Sequence, residues 1–295
     1  MRVLVTGATG FLGQHLVPLL NASGHETAIL VREAYGMGMP LPPRLADIRN
    51  DLLVVYADLR NYRLTSRALQ EAQPAVVFHL AAAGVTDPFL AADTALRHNV
   101  NGAINILRAT FKQSSARRVI VARTPGESAP ANAYQASKAA AWSFCQMYAR
   151  QMNWPIYGAT IFQAYGPGQP PKTLIPASFA AALDGADFPM TSGSQERDWI
   201  YIEDLVGGLT AIAQADLEPA LSLDLGTGKD TTLLEVVKEV YALVGRGGHP
   251  LPGVLSDRPG EHERQVADSQ MTTALLGWQA STSLSEGLRK ILGAL

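Results

Sequence analysis

Tyr134 and Lys138 stand four residues apart in AYQASKAAAWSFCQMYA, a stretch whose apolar spacing predicts a helix beginning near Ala133. That interval puts both side chains on one helix face, one turn from each other. A free phenol, with a pKa near ~10, is a poor base at neutral pH, and a neighbouring ammonium favours the phenolate and draws it toward working range. Such a phenol can exchange a proton with a substrate oxygen. The lysine keeps donors for the ribose of a nicotinamide cofactor, which would fix that ring beside the phenol. An exposed Tyr and Lys that merely stabilise a helix make a plainer use of the same spacing. What decides between the two is whether the chain also builds a place for the cofactor.

It does so at its start. TGATGFLG, Thr6 to Gly13, follows directly on the apolar run Val3 to Val5, so a strand ends, turns on glycines and opens a helix. Gly7 suits the tight turn, Gly10 lets backbone amides approach an anion, and Gly13 lets the helix pack closely on its strand. Amides without partners at a helix start attract a pyrophosphate. The glycine turn and the tyrosine–lysine helix together predict a dinucleotide site with a proton-transferring phenol.

The elements that must position these residues follow a regular rhythm. Short apolar, largely β-branched runs at Val3–Val5, Ala28–Val31, Leu53–Val55, Val76–Leu80, Val119–Ala122 and Ile156–Phe162 alternate with helical patterns beginning near Phe11, Tyr62, Asp93 and Ala133. This predicts an α/β fold of Rossmann type, a doubly wound parallel sheet with helices on both faces. Gly36 to Arg44, with Pro40, Pro42 and Pro43, reads as a surface loop without regular structure. A breaker cluster at Gly166, Pro167, Gly168, Pro170 and Pro171 marks a boundary. Residues 1–165 are expected to form the dinucleotide-binding domain, with 199–226 returning to it in part, and 166–295 a smaller, mostly helical substrate lobe. The ligand is expected where the carboxyl ends of the strands meet that lobe.

Composition narrows the partners. With 295 residues, 47% of them hydrophobic and 17% charged, the chain can bury a large core. A formal net charge of −2 gives no electrostatic footprint for nucleic acid, so a small-molecule partner is expected. Cys145 is the single cysteine, which excludes an internal disulfide, and no cysteine–histidine cluster has metal-ligand spacing. Neither a signal peptide nor a membrane span is expected, and the chain reads as cytoplasmic. His79 reads as a satisfied histidine at a strand end.

TGATGFLG, HLAA at His79 to Ala82 and YQASK at Tyr134 to Lys138 fall in the order seen in the extended short-chain dehydrogenase/reductase family, which this chain resembles over nearly its whole length. YGPGQ (Tyr165 to Gln169), RDWIYIEDL (Arg197 to Leu205) and RPGE (Arg258 to Glu261) are similar to those of its nucleotide-sugar epimerases, dehydratases and reductases. The resemblance implies that Gly7, Gly10, Phe11, Leu12 and Gly13 line the pyrophosphate, and that Asp58, followed by Leu59, meets the adenine. It implies that Ala81, Ala82 and Phe162 lie beside the nicotinamide and that Asn99 helps position the active-site helix. Gln163, Arg197 and Arg258 are then expected at the sugar nucleotide, with both arginines on its diphosphate. Paired helices, Asp93 to Phe111 and Ala133 to Met152, with Trp142, Phe144, Met147 and Tyr148 crowded on the second, imply a homodimer.

Two departures from the family pattern carry consequences. Arg32 follows the second strand where a strict NAD site offers an acid, so NADP is favoured, with NAD possible through Glu33. Thr124 is the candidate for the hydroxyl that holds the substrate oxygen, yet it precedes Tyr134 by only ten positions, fewer than half the family's usual number. Pro125 and Gly126 occupy the positions where sugar dehydratases carry an acidic pair, which makes dehydration the unexpected reaction. The expected activity is an NAD(P)-dependent epimerisation or 4-keto reduction at a sugar C4, with Tyr134 as general acid/base, Lys138 beside it and Thr124 assisting. The alternative is a cofactor-binding regulator or scaffold with impaired catalysis.

Overall fold

The computed structural model describes residues 1–257 and 260–295. In chain order the elements of the first half are β1 (Arg2–Thr6), α1 (Gly13–Ala22), β2 (Glu26–Val31), α2 (Pro43–Ala46), β3 (Leu52–Tyr56), α3 (Tyr62–Ala72), β4 (Val76–His79) and α4 (Ala92–Ala95). Then come α5 (Gly102–Gln113), β5 (Arg118–Arg123), α6 (Ala133–Met152) and β6 (Ile156–Ile161). The remainder contains β7 (Gln163–Tyr165), α7 (Leu174–Leu183), β8 (Phe188–Pro189), β9 (Glu196–Arg197), β10 (Trp199–Tyr201), α8 (Ile202–Gln214) and β11 (Ser222–Leu225). It closes with β12 (Thr231–Thr232), α9 (Leu233–Val244), β13 (Pro250–Leu251), β14 (Arg264–Gln265), α10 (Ser269–Leu276) and α11 (Leu284–Leu292).

Seven strands form one sheet in the order β11-β6-β5-β4-β1-β2-β3, with the neighbouring pairs from β3 to β6 all parallel. The order reverses between β1 and β4, the switch point at which a doubly wound sheet leaves room for a ligand at its carboxyl edge. Helices cover both faces, so the inner strands are buried throughout; Val3, Leu4 and Val5 are fully enclosed, as are Val77 and Ile120. One core layer joins Leu69 of α3, Ile106 and Leu107 of α5 and Cys145 of α6 to Val119 of β5. Burial pushes the Cys145 thiol up to about 12, as expected of an inert core thiol.

The chain divides into two compact units, 1–160 with 209–223 and 161–208 with 224–295. Besides its helices, the second carries three small sheets, pairing β10 with β7, β13 with β8, and β9 with both β12 and β14. Its centre is Asp198, fully buried. Oδ1 accepts from Thr227 N–H (2.8 Å) and Thr227 Oγ1–H (2.7 Å), and Oδ2 from Gly228 N–H (2.8 Å) and Ala267 N–H (3.2 Å). A buried carboxylate persists on such terms only when its lone pairs are used.

One expectation needs correction. The proline-rich stretch after β2 is not irregular throughout, since a 3₁₀ turn spans Glu33–Met37 and α2 starts at Pro43. Pro42 supplies the extended entry and Pro43 the first helical position, where a missing N–H costs nothing. Trp142 is buried, and Tyr148 stacks on Trp154 with ring centroids 4.8 Å apart.

Candidate active site

The glycine turn is built by close backbone approach. Gly7 has φ +71°, and a Cβ there would lie 2.6 Å from Ala81 N and 2.8 Å from the Leu80 carbonyl carbon, so the turns after β1 and β4 press together. Gly10 N–H donates to Gly7 O and Gln14 N–H to Gly10 O, each at 3.0 Å. At Gly13 a Cβ would meet Ala8 Cα and Gly7 O at 2.5 Å; its closeness serves the turn's own backbone and not the strand expected from sequence. Helix α1 has no side-chain cap at Leu12 and no acidic residue in its first turn, so the amides at Phe11, Leu12 and Gly13 open onto an anion-favouring helix end.

Further along the carboxyl edge, Arg32 is exposed and leads into the Glu33–Met37 turn, which makes Arg32 the first residue past β2. Asp58 is paired with Arg60, whose Nη2 is 2.5 Å and Nε 2.9 Å from Oδ2, and the guanidinium holds the carboxyl below the usual range. Leu59 O accepts from Asn105 Nδ2 at 2.8 Å. His98 shares this corner: burial first, then the Arg60 and Arg32 charges, keep its imidazole below its ordinary value, while Asp58 opposes them.

Asn99 organises the centre. It lies buried in a π-helical turn, Leu96–Asn101, between α4 and α5, and its Nδ2 donates to Ala83 O and to Ser137 Oγ, both at 2.9 Å. Its Oδ1 accepts from Ala83 N–H at 2.8 Å, and Ser137 Oγ donates to Tyr134 O at 2.8 Å. The loop after β4, which carries Ala81 and Ala82, is thereby tied to the first turn of α6. Tyr134 also packs on Gly84, where a Cβ would stand 3.2 Å from the Tyr134 Cβ. His79 is enclosed, shares a 2.8 Å hydrogen bond with Thr6 Oγ1 and is held neutral, at about 3, by burial and then by the Lys138 charge.

Lys138 is only 6% exposed. Burial lowers its pKa, and Glu127 counters that shift most. The Tyr134 phenol behaves differently from the expectation based on spacing. Burial first and then the Glu127 carboxylate push it up, so the lysine one turn away does not by itself outweigh the cost of a desolvated phenolate.

Thr124 directly follows β5 and caps a 3₁₀ turn, Pro125–Glu127. Glu127, whose register sets it apart from the dehydratase acid positions, pairs with Arg123, to which the sequence reading gave no role: Arg123 Nε and Nη2 each lie 2.8 Å from Glu127 Oε2. Their i, i+4 spacing was a visible signal, but nothing in it shows that the pair is buried.

In the second unit, Phe162 is buried, with its N–H on Leu225 O at 3.3 Å, and Gln163 is exposed, with its N–H on Asp198 O at 2.9 Å. Arg197 is 7% exposed; its guanidinium donates to Glu261 Oε1 (3.2 Å), Glu196 O (2.8 Å) and Glu263 O (3.4 Å). Arg258 lies outside the described residues. Among those that are described, no cluster of His, Cys, Asp or Glu could hold a metal, and no helix is long and apolar enough to cross a membrane.

A family model for NAD-dependent epimerases and dehydratases matches residues 3–221. The chain is 28% identical to a probable dTDP-glucose 4,6-dehydratase of Sinorhizobium fredii, over 98% of this chain and 91% of that protein. It is 28% identical to a UDP-glucose 4-epimerase of Mycolicibacterium smegmatis, over 98% and 97% of the two. Among solved structures it is similar to MoeE5 in complex with UDP-glucuronic acid and NAD, with a TM-score of 0.85, 28% identity and 99% and 98% of the two chains covered. A glycine turn on β1, a tyrosine–lysine helix after β5 and a sequence match over most of the chain agree: the chain belongs to the NAD-dependent epimerase/dehydratase family.

Proposed function

We propose that the protein is an NAD(P)-dependent nucleotide-sugar epimerase or 4-keto reductase acting at a sugar C4. The observation that carries this reading is the placement of Tyr134 and Lys138 one turn apart on α6, tied through Ser137 and Asn99 to the loop after β4. The residues fit the cofactor: the ammonium of the largely enclosed Lys138 suits ribose hydroxyls, and the uncapped start of α1 suits a pyrophosphate. When bound, the nicotinamide supplies or accepts the hydride at the sugar carbon. Tyr134 takes or returns the proton at the C4 oxygen, Lys138 orients the ribose and lends positive charge to the phenol, and Thr124 hydrogen-bonds the same oxygen. Gln163, Arg197 and Arg258 are assigned to the sugar nucleotide, with Arg197 exchanging part of its hold on Glu261 for phosphate oxygens.

Relatives named as dehydratases and as epimerases are equally similar, so the choice of reaction rests on this chain's residues. Pro125 and Gly126 cannot act as an acid pair, and the Glu127 carboxylate is engaged by Arg123 and by Thr124 N–H. Both facts support epimerisation or reduction over elimination. Incubation with UDP-glucose, with and without NADPH, tests the reading. Interconversion of sugar C4 epimers without net NADPH consumption identifies an epimerase. Consumption that requires a 4-keto sugar identifies a reductase, and no turnover of either returns the protein to a binding role.

Exposed Arg32 supports NADP over NAD. One charge-assisted hydrogen bond is worth about 1.5–3 kcal/mol, so Arg32→Ala is expected to weaken NADPH binding roughly tenfold or more and leave NADH binding nearly unchanged. Equal losses for both dinucleotides in fluorescence titrations would remove Arg32 from the 2′-phosphate. A homodimer through α4, α5 and α6 is supported by the exposed Leu96, Phe144 (39% exposed) and Met152. Sedimentation at micromolar concentration is expected to give twice the chain mass, and a monomer there rejects the assembly.

A further inference from the structure

Arg123 and Glu127 form a built unit in the first compact unit of the chain. Glu127 is 8% exposed; its Oε1 accepts Thr124 N–H at 2.9 Å, and its Oε2 receives two donors of Arg123 at 2.8 Å. The Arg123 guanidinium lies over the Trp142 ring, 4.5 Å from its centroid. Trp142 is four residues beyond Lys138 and so lies one turn further along the same helix face. Below, a Cβ on Gly158 of β6 would stand 2.9 Å from Arg123 Cδ, so the arginine stem passes over a residue with no side chain. The end of β5 is therefore fastened to α6 by a charge pair that holds one carboxylate beside the tyrosine–lysine helix.

We propose that Glu127, fixed by Arg123, is the counter-charge and positioning residue of the Tyr134–Lys138 pair. It sets Thr124 through the backbone and supplies the negative charge that keeps the Lys138 ammonium protonated in a buried place. This rests on the cofactor-binding reading of Lys138, but not on any particular sugar or reaction. The charged and titratable groups facing Lys138 are His79 at the end of β4, Arg123 on β5, Glu127 on the following turn, and Tyr134 and Cys145 on α6. Of these, Glu127 raises the lysine most and Arg123 lowers it.

The test is the pH dependence of NADPH binding by the full chain, followed by tryptophan fluorescence, which needs no turnover. Affinity falls as pH rises through the point where Lys138 loses its proton. In Glu127→Gln that midpoint is expected to move down by roughly one pH unit, whereas Glu127→Asp, which keeps the charge, stays near the parent. A midpoint that does not move in Glu127→Gln, with affinity reduced by one factor at every pH, means a purely structural role and overturns the proposal, as does an equal shift in Glu127→Asp. Should Glu127→Gln fail to fold, the paired replacement Arg123→Met with Glu127→Met substitutes apolar groups for the buried ions, an exchange that cores often tolerate. Its midpoint is expected to fall as well, because the raising charge outweighs the lowering one, and an unchanged midpoint overturns the proposal. Loss of sugar turnover with the binding midpoints as expected would count against the catalytic reading and leave this one standing.

Discussion

A Tyr134→Phe protein is expected to lose about 10²- to 10⁴-fold in turnover of its sugar nucleotide while binding NAD(P)H within about twofold of the parent. The change removes one oxygen. The Cβ of residue 134 keeps its place beside Gly84, and the carbonyl that accepts from Ser137 belongs to the backbone, so the first turn of α6 and its tie to Asn99 persist. What disappears is the hydroxyl proposed to exchange a proton with a C4 oxygen, and general acid–base catalysis by one side chain is worth that range. Because burial and Glu127 hold the phenol high, its hydroxyl keeps its proton and is set to donate it. Lys138→Met should show no such split, with dinucleotide affinity falling along with rate, since the proposed ribose contact and the charge go together. Initial rates with UDP-glucose, set beside fluorescence titrations of both variants, make the comparison. A Tyr134→Phe protein as active as its parent would reject the phenol's role, and one that loses binding instead would make Tyr134 a cofactor ligand alone.

The scaffold was readable because parallel strands enclosed on both faces are continuous apolar runs, as at Val3–Val5 and Val76–Phe78. Tyr134, Lys138 and the glycine turn were readable because four-residue spacing and a strand-to-helix glycine cluster have one geometric meaning each. The environment of the phenol was not. Its direction of shift depends on how deeply α6 is covered and on a carboxylate seven residues earlier, and neither is a property of spacing. Nor does the sequence show that Trp142 on that helix is buried, since a helix covered on several sides is apolar on several sides. The strands β8, β9 and β12 to β14, two residues each, are too short to show any period.

Replacing Gly7 by alanine is expected to damage both stability and cofactor binding, and Gly24 provides its control. Both glycines turn in the left-handed region, at φ +71° and +78°, so alanine at either carries a backbone cost of about 1–2 kcal/mol. Around Gly24 a Cβ would find nothing within 4 Å, and the cost should end there. At Gly7 it would meet backbone atoms of Leu80 and Ala81 at 2.6–2.8 Å, in a stretch that cannot withdraw. Thr6 is in register with His79, Leu80 N–H donates to Thr6 O at 3.2 Å, and Thr6 Oγ1 binds the His79 ring. Forcing apart two packed backbones adds roughly 1–3 kcal/mol, a large share of the ~5–15 kcal/mol that holds a typical domain together. The atoms displaced are those of the turn below α1 and the loop that carries Ala81 and Ala82, so NADPH affinity should fall at least about tenfold, a loss of ~1.4 kcal/mol. Thermal unfolding and dinucleotide titration of the two variants separate the contributions. Gly24→Ala should lose a few degrees and bind normally, and Gly7→Ala should lose more in both measurements. Matching behaviour of the pair would show that the turns after β1 and β4 are not pressed together in solution, and with that the floor assigned to the cofactor would have to be redrawn.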